Sequence, residues 1–226
     1  MKISISLMVI GTLLFTGCAY ESRYHIPLAP QVEKMEITKT IPLEAALLIT
    51  EETRNRSFRS PSFPDYHGNF IIYSIEPYQL PIGQAFEKAA LQIFSQFFSK
   101  IHLIRNLDEA KNYRLVIEPR LTDFNLTLFY TNFGRYIHNE VVDGRCQAKV
   151  TGSLFSQGRS IWEKTLETPL ETEHWVNNYW LKDSVGKLAS DTLVLALKLM
   201  AFQIVRESQL PPSPPRGWLE EIEGKR

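Results

Sequence analysis

Cysteine is nearly absent. Cys18 and Cys146 are the only two in 226 residues, too few for the disulfide framework that staples many small secreted domains. With Cys18 engaged elsewhere, Cys146 has no partner in the chain, and a lone cysteine in an alternating strand reads as a small buried hydrophobe rather than a reactive thiol. Net charge is absent too: 25 basic and 25 acidic side chains are interspersed. No basic face is visible that would follow nucleic acid, so nucleic acid is not an expected partner. His25, His67, His102, His138 and His174 are scattered, and none has a carboxylate or second histidine at ligand spacing. Zinc needs three or four converging ligands, so neither a metal nor another cofactor is expected. There is no Gly-x-Ser-x-Gly elbow, no Walker loop and no Cys–His pairing motif. No catalytic residue is therefore nominated, and Glu171 and Glu173 read as solvated charges.

What is present begins at the N-terminus, MKISISLMVIGTLLFTGCAY. Lys2 precedes an apolar run from Ile3 to Phe15, which ends in Thr16-Gly17-Cys18. This is the charged, apolar and small-residue layout of a secretory signal. The run is about thirteen residues, short of the roughly 20 that cross a bilayer, and no second such run follows. With FTGC at 15–18, the segment resembles a bacterial lipoprotein signal peptide. The resemblance implies that residues 1–17 are removed, that Cys18 is diacylated and that the mature chain is lipid-anchored from its first residue. Ala19 rather than Asp follows, which by resemblance to Gram-negative sorting implies the periplasmic face of the outer membrane. The competing reading is a spanning helix with an incidental cysteine.

Residues 18–40 carry Pro27 and Pro30 and little periodicity, and read as a tether with an extended segment near Gln31–Thr38. Ile41–Thr50 is apolar on both sides, as a central strand is. Residues 51–69 form a polar loop by composition, and Asn69–Glu76 a second strand. Pro81 suits the first turn of a helix. From Ile82 to Ser99, Ala85, Phe86, Ala89, Ala90, Ile93, Phe94, Phe97 and Phe98 recur at helical spacing, giving an amphipathic helix that packs on a sheet. Ile101–Ile104 is a short strand and Leu107–Lys111 a polar link. Tyr113–Leu128 reads as one long strand or two, with Pro119 confining it to an edge, bend or bulge.

Residues 145–154 alternate strictly, with Cys146, Ala148, Val150, Gly152 and Leu154 on the buried face. Gln157-Gly158 supplies a turn and Ser160–Glu167 the partner strand. Asp183 can cap a helix whose apolar face runs from Val185 through Leu193 and Met200 toward Val205. SQLPPSPPRG at 208–217 reads as a stiff polyproline stretch within a tail at 207–226. The domain spans 41–206. Its order of elements predicts a single α+β domain, a mostly antiparallel sheet with two helices packed on one face.

Two aromatic stretches exceed an ordinary surface: residues 58–78, with Phe63 and Tyr66 among them, and HWVNNYW at 174–180, with Trp175, Tyr179 and Trp180. Aromatics in loops serve as anchors for protein partners, or they plug the ends of a sheet. Phe63, Tyr66, Trp175, Tyr179 and Trp180 are the nominated contacts.

The succession FTGC (15–18), PIGQAFEKAALQIFSQFF (81–98), IHLI (101–104), YRLVIEPRLTDF (113–124) and CQAKVTGSLFSQGRSIWEKTLE (146–167), with a closing helix, resembles the YajG-like family of small bacterial lipoproteins. More loosely, it is similar to the anticodon-binding-like α/β domain of CsgG and TolB. Residues 129–139, a loop at 168–182 and the Pro-rich tail depart from that pattern. The resemblance implies an accessory, non-catalytic part of an envelope assembly, held to the membrane by its lipid and acting with an envelope protein. The contrasting class is an envelope hydrolase acting on glycan or lipid through residues that no motif marks.

Overall fold

The computed structural model describes residues 24–37, 40–60, 78–132, 140–176 and 181–207. In chain order the elements are β1 (Tyr24–His25), β2 (Ile41–Leu48), α1 (Glu51–Arg54), β3 (Phe58–Arg59), β4 (Tyr78–Leu80), α2 (Ile82–Phe97) and β5 (Phe98–Ile104). They continue with α3 (Leu107–Ala110), β6 (Leu115–Asn132), β7 (Glu140–Ser156), β8 (Arg159–Glu167), β9 (Glu171–Val176) and α4 (Leu181–Glu207). The expected strand at 69–76 lies outside the described residues.

The main sheet runs β5-β2-β6-β7-β8, with β9 continuing alongside β7. As its two-sided apolarity predicts, β2 is internal, parallel to both β5 and β6. Ala45, Leu47 and Ile49 join the main core, while Ala46 and Leu48 face the other way, into a smaller cluster with Ile104 and Val116. Every pairing that involves β7 is antiparallel. The expected α+β domain is what the chain forms, with α2 and α4 packed against the sheet. The apolar stripe of α2 is fully covered: Phe86, Ala89, Ala90, Ile93 and Phe94 are buried. In α4 the buried set is wider than the expected stripe and includes Thr192, Val194, Leu197, Ala201 and Ile204. A helix apolar nearly all round belongs inside a core, and α4 lies against β7 and α2 together. Asp183 stands inside the first turn of α4 rather than before it, where its charge still complements the helix dipole.

Pro119 sits opposite Gly152 of β7, beyond Ile117, the last residue of β6 that β2 reaches. At that point β6 has a strand on one side only, the edge-like setting that proline requires. Past it the register shifts between Leu121 and Asp123, and the Arg56 guanidinium donates to the Leu121 and Thr122 carbonyls, the latter at 2.9 Å. At the β7–β8 turn, Gln157 and Gly158 both have positive φ, 50° and 76°, as a two-residue hairpin turn of the I′ type demands.

Further expectations change. The stretch expected as a polar loop from residue 51 opens with α1, where Thr50 Oγ1 accepts the Thr53 N–H at 3.3 Å, and then holds β3. Residues 107–111, expected as a polar link, contain α3, whose first turn is capped where Asn106 Oδ1 accepts the Glu109 N–H at 2.9 Å. The loop expected at 168–182 contains β9. Its sequence hides this because an edge strand open to solvent needs no apolar alternation. The joint is Thr168, buried between β8 and β9: its N–H reaches Ala148 O at 2.9 Å, and its hydroxyl accepts the Ala148 N–H at 3.0 Å. Thr168 thus keeps the ladder paired where the edge strand breaks.

The last change concerns the stretch expected as a tether. Residues 24–37 lie along the domain as a strap. Tyr24 and His25 pair in parallel with Tyr78 and Gln79 of β4, Ile26 is buried, and Leu28, Val32, Met35 and Ile37 pack against the core. Gln96 of α2 holds the far end: its Oε1 accepts the Met35 N–H at 2.7 Å.

Candidate recognition surface

Of the nominated contacts only Trp175 falls among the described residues; Phe63, Tyr66, Tyr179 and Trp180 lie outside them, as does Cys18. Phe58 and Tyr78, which border the first aromatic stretch, turn inward. Tyr78 is buried, and the Phe58 ring stands 5.5 Å from Phe124 and 6.3 Å from Tyr78.

Trp175 is carried by a strand, not by the loop expected there. It lies opposite Val142 in the β7–β9 ladder, so its side chain falls on the sheet face that carries α4. The indole covers Gly144: a Cβ on that glycine would run into the ring and stand 2.9 Å from Leu188 Cδ2 of α4. Gly144 is therefore the gap into which the ring fits. One side of Trp175 is packed on the core and the rest is open. Its Nε1 donates to Glu173 Oε2 at 3.0 Å. Glu173 also lies 3.7 Å from Lys187 Nζ, and Lys187 donates to Asp191 at 2.7 Å, which raises the lysine's pKa above its ordinary value, chiefly through that bond. Glu173, expected as a solvated charge, is partly exposed and also accepts the indole N–H.

On the opposite sheet face of the same ladder, His174 Nδ1 and Asp143 Oδ1 are 2.7 Å apart. The Arg145 guanidinium sits 4.6 Å over the Phe129 ring, and Phe129 is 42% exposed. An exposed aromatic held under a cation presents a flat apolar surface with a polar margin, the composition of a contact patch. Arg145 and Phe129 carried no sequence signal as a pair, because their proximity depends on the Thr127↔Arg145 and Phe129↔Asp143 register.

Further along that face, Glu118, Ser153 and Glu163 lie in one row across β6, β7 and β8. Arg120 reaches Ser153 Oγ at 3.4 Å and Glu163 at 3.6 Å. Burial pushes the Glu118 carboxyl up, with Arg120 opposing. At the end of β5 the Arg105 guanidinium binds both oxygens of Glu87, one bond at 3.0 Å, with Glu51 at 3.8 Å and Arg54 on Glu87 at 3.6 Å. These charges tie α1, α2 and the sheet together. Cys146 is buried, and burial pushes its thiol up to about 12, which keeps it protonated and unreactive at neutral pH. Among the described residues no three His, Cys, Asp or Glu side chains gather as a metal-ligand set.

No family model and no curated protein matches this sequence. Among solved structures, the chain is similar to a DUF330-family protein from Xanthomonas campestris, at 8% identity and a TM-score of 0.50 over 82% of this chain and 98% of that one. It is also similar to a putative neuraminyllactose-binding hemagglutinin homolog from Helicobacter pylori, at 9% identity and a TM-score of 0.47 over 89% and 100%. A third likeness is to a minor lipoprotein from Acinetobacter baumannii, at 12% identity and a TM-score of 0.31 over 71% and 87%. At 8% identity the likeness to the Xanthomonas campestris protein is one of fold alone.

Proposed function

We propose that this chain is a lipid-anchored lipoprotein on the periplasmic face of the outer membrane, a non-catalytic binding or assembly component of a cell-envelope complex. The observation that carries the reading is FTGC at 15–18 behind a short apolar run, which makes Cys18 the lipid-bearing residue. Paired charges and a buried, protonated Cys146 fit a scaffold that binds rather than reacts. The proposed contacts are Trp175, whose indole packs over Gly144 and donates to Glu173, and the aromatics Phe63, Tyr66, Tyr179 and Trp180.

The test is cross-linking in intact membranes, followed by recovery of the full-length protein with its partners, for wild type and for Tyr179→Ala and Trp180→Ala. A hot-spot aromatic truncated to alanine loses about 2 kcal/mol or more of binding, roughly thirtyfold in affinity. The expected result is a lost cross-linked partner at unchanged thermal stability. Retention of the partner in both variants overturns the assignment of this surface.

A further inference from the structure

The strap changes what the anchor can do. If Cys18 holds the lipid, the chain that links bilayer and domain is not residues 18–40 but residues 19–23 alone, because Tyr24 is already paired with Tyr78. Six residue steps separate Cys18 from Tyr24, about 20 Å when fully extended. The domain is longer than that. β6 has 18 residues, about 60 Å of strand, so the tether is too short for every part of the surface to reach the membrane equally.

The end of the domain that this tether brings down follows from the course of the strap. Ile26 N–H bonds Gln79 O at 3.0 Å, and Pro27 O passes so near Gly186 that a Cβ there would stand 3.2 Å from it. The strap therefore starts beside the second turn of α4. It then runs to Gln96 in the last turn of α2, where Phe97 meets Phe202 near the end of α4 at 5.6 Å. Tyr24 thus leaves the domain at the end where α4 begins, and the closing turn of α4 lies at the opposite end. From Gly186 to Glu207 the helix rises about 30 Å, more than the tether's full reach. The end where Tyr24 leaves also holds the far part of the β6–β7 ladder and β9, since Trp175 lies between Gly144 and Leu188.

We infer that the docked strap orients the anchored domain, turning the end with β1, β9 and the start of α4 toward the lipid surface and the β7–β8 turn and Glu207 away from it. The inference rests on the proposed acylation of Cys18, and it makes the lipid surface a partner of this end beside the protein contact proposed at Trp175. Aromatic and cationic groups such as Phe129 and Arg145 suit that position, because amphipathic rings and basic side chains favour the headgroup layer.

Two exposed arginines mark the two ends: Arg59 on β3, beside β4, and Arg159 at the start of β8. Full-length protein acylated in cells would carry R59C or R159C with a dye; Cys146 is buried and does not compete for it. Each would be reconstituted into phosphatidylethanolamine–phosphatidylglycerol vesicles containing a headgroup-nitroxide lipid. The expected result is several-fold stronger quenching at position 59 than at position 159. A Gly/Ser linker of about 20 residues placed between Arg23 and Tyr24, with an r.m.s. span of about 25 Å, should bring the first down to the second. Equal quenching at both positions in protein that floats with the vesicles overturns the orientation and leaves the anchoring reading standing. Protein that fails to float with vesicles overturns the anchoring reading itself, and the orientation with it.

Discussion

At the scale of single residues, Gly144 and Trp175 act as one unit. A glycine in mid-strand forfeits side-chain packing, and here the indole from the neighbouring strand fills the space. Trp175→Ala should lower stability by about 2 kcal/mol, less than the 3–5 kcal/mol typical of a fully buried ring, because part of the indole is already open to solvent. Chemical denaturation measures this directly, and an unchanged midpoint would separate the ring from the core. Gly144 could not be recognised in advance: its role depends on β9, whose alternating charges and polar groups gave no strand signal. Trp162 shows the converse. Its place on one face with Leu166 was legible from alternation, but its Nε1 bond to Glu207 at 2.9 Å joins residues 45 positions apart.

Glu207 also carries a pH signature. Bonds from Lys164 first, then Trp162, hold its carboxyl down at about 2 against a usual 4.5. A depressed carboxylate contributes stability that is fully present above its unfolded value and lost as the pH falls through the folded one, so the window runs from about pH 4.5 down to about pH 2. The pair is exposed and its contribution is screened accordingly. Glu207→Gln should lower Tm by about 1–3 °C at neutral pH, the span that a surface ion pair allows in a domain of this size. The difference from wild type should close by pH 2. Thermal melts across that range check both the size and the sign.

At the scale of elements, what periodicity could express was legible. β2 was recognisable from apolarity on both sides, α2 from a wide stripe at helical spacing, and the β7–β8 hairpin from alternation around Gln157-Gly158. Phe94 tests that reading, being buried in the stripe of α2. Phe94→Ala should cost about 3–5 kcal/mol, a large share of the 5–15 kcal/mol that holds a domain together, and should leave a protein that melts far lower or fails to accumulate. An unchanged melting temperature would contradict the helix phase. What stayed hidden were elements defined by their partners: β9 as an added edge on a very long β7, α3 as a single capped turn, and the strap, whose prolines suggest linker while its apolar residues pack on the core. The two-residue strands β1 and β3 exist only as partners of β4 and are too short for any periodic signal.

At the scale of the whole molecule, the two faces of the sheet have different tasks. One carries α2, α4 and nearly all the buried apolar side chains, and the other combines the small cluster around Ala46 and Val116 with rows of paired charges. Stability thus resides on one side, which leaves the polar face and the far end of the β6–β7 ladder free to be read by something else. On the proposed anchoring at Cys18, a short tether would hold such a body in one orientation at a membrane surface rather than let it swing freely. The cross-linking result expected for Tyr179→Ala and Trp180→Ala belongs to this scale, since it asks whether the molecule meets a protein as well as lipid. All of it depends on the lipid at Cys18. Metabolic labelling of cells with a fatty-acid analogue, for wild type and Cys18→Ser side by side, tests that claim most directly. The account predicts label on the wild-type protein in the membrane fraction and none on Cys18→Ser, which remains unprocessed or soluble; an unlabelled wild-type protein, or equal labelling of the two, would contradict it.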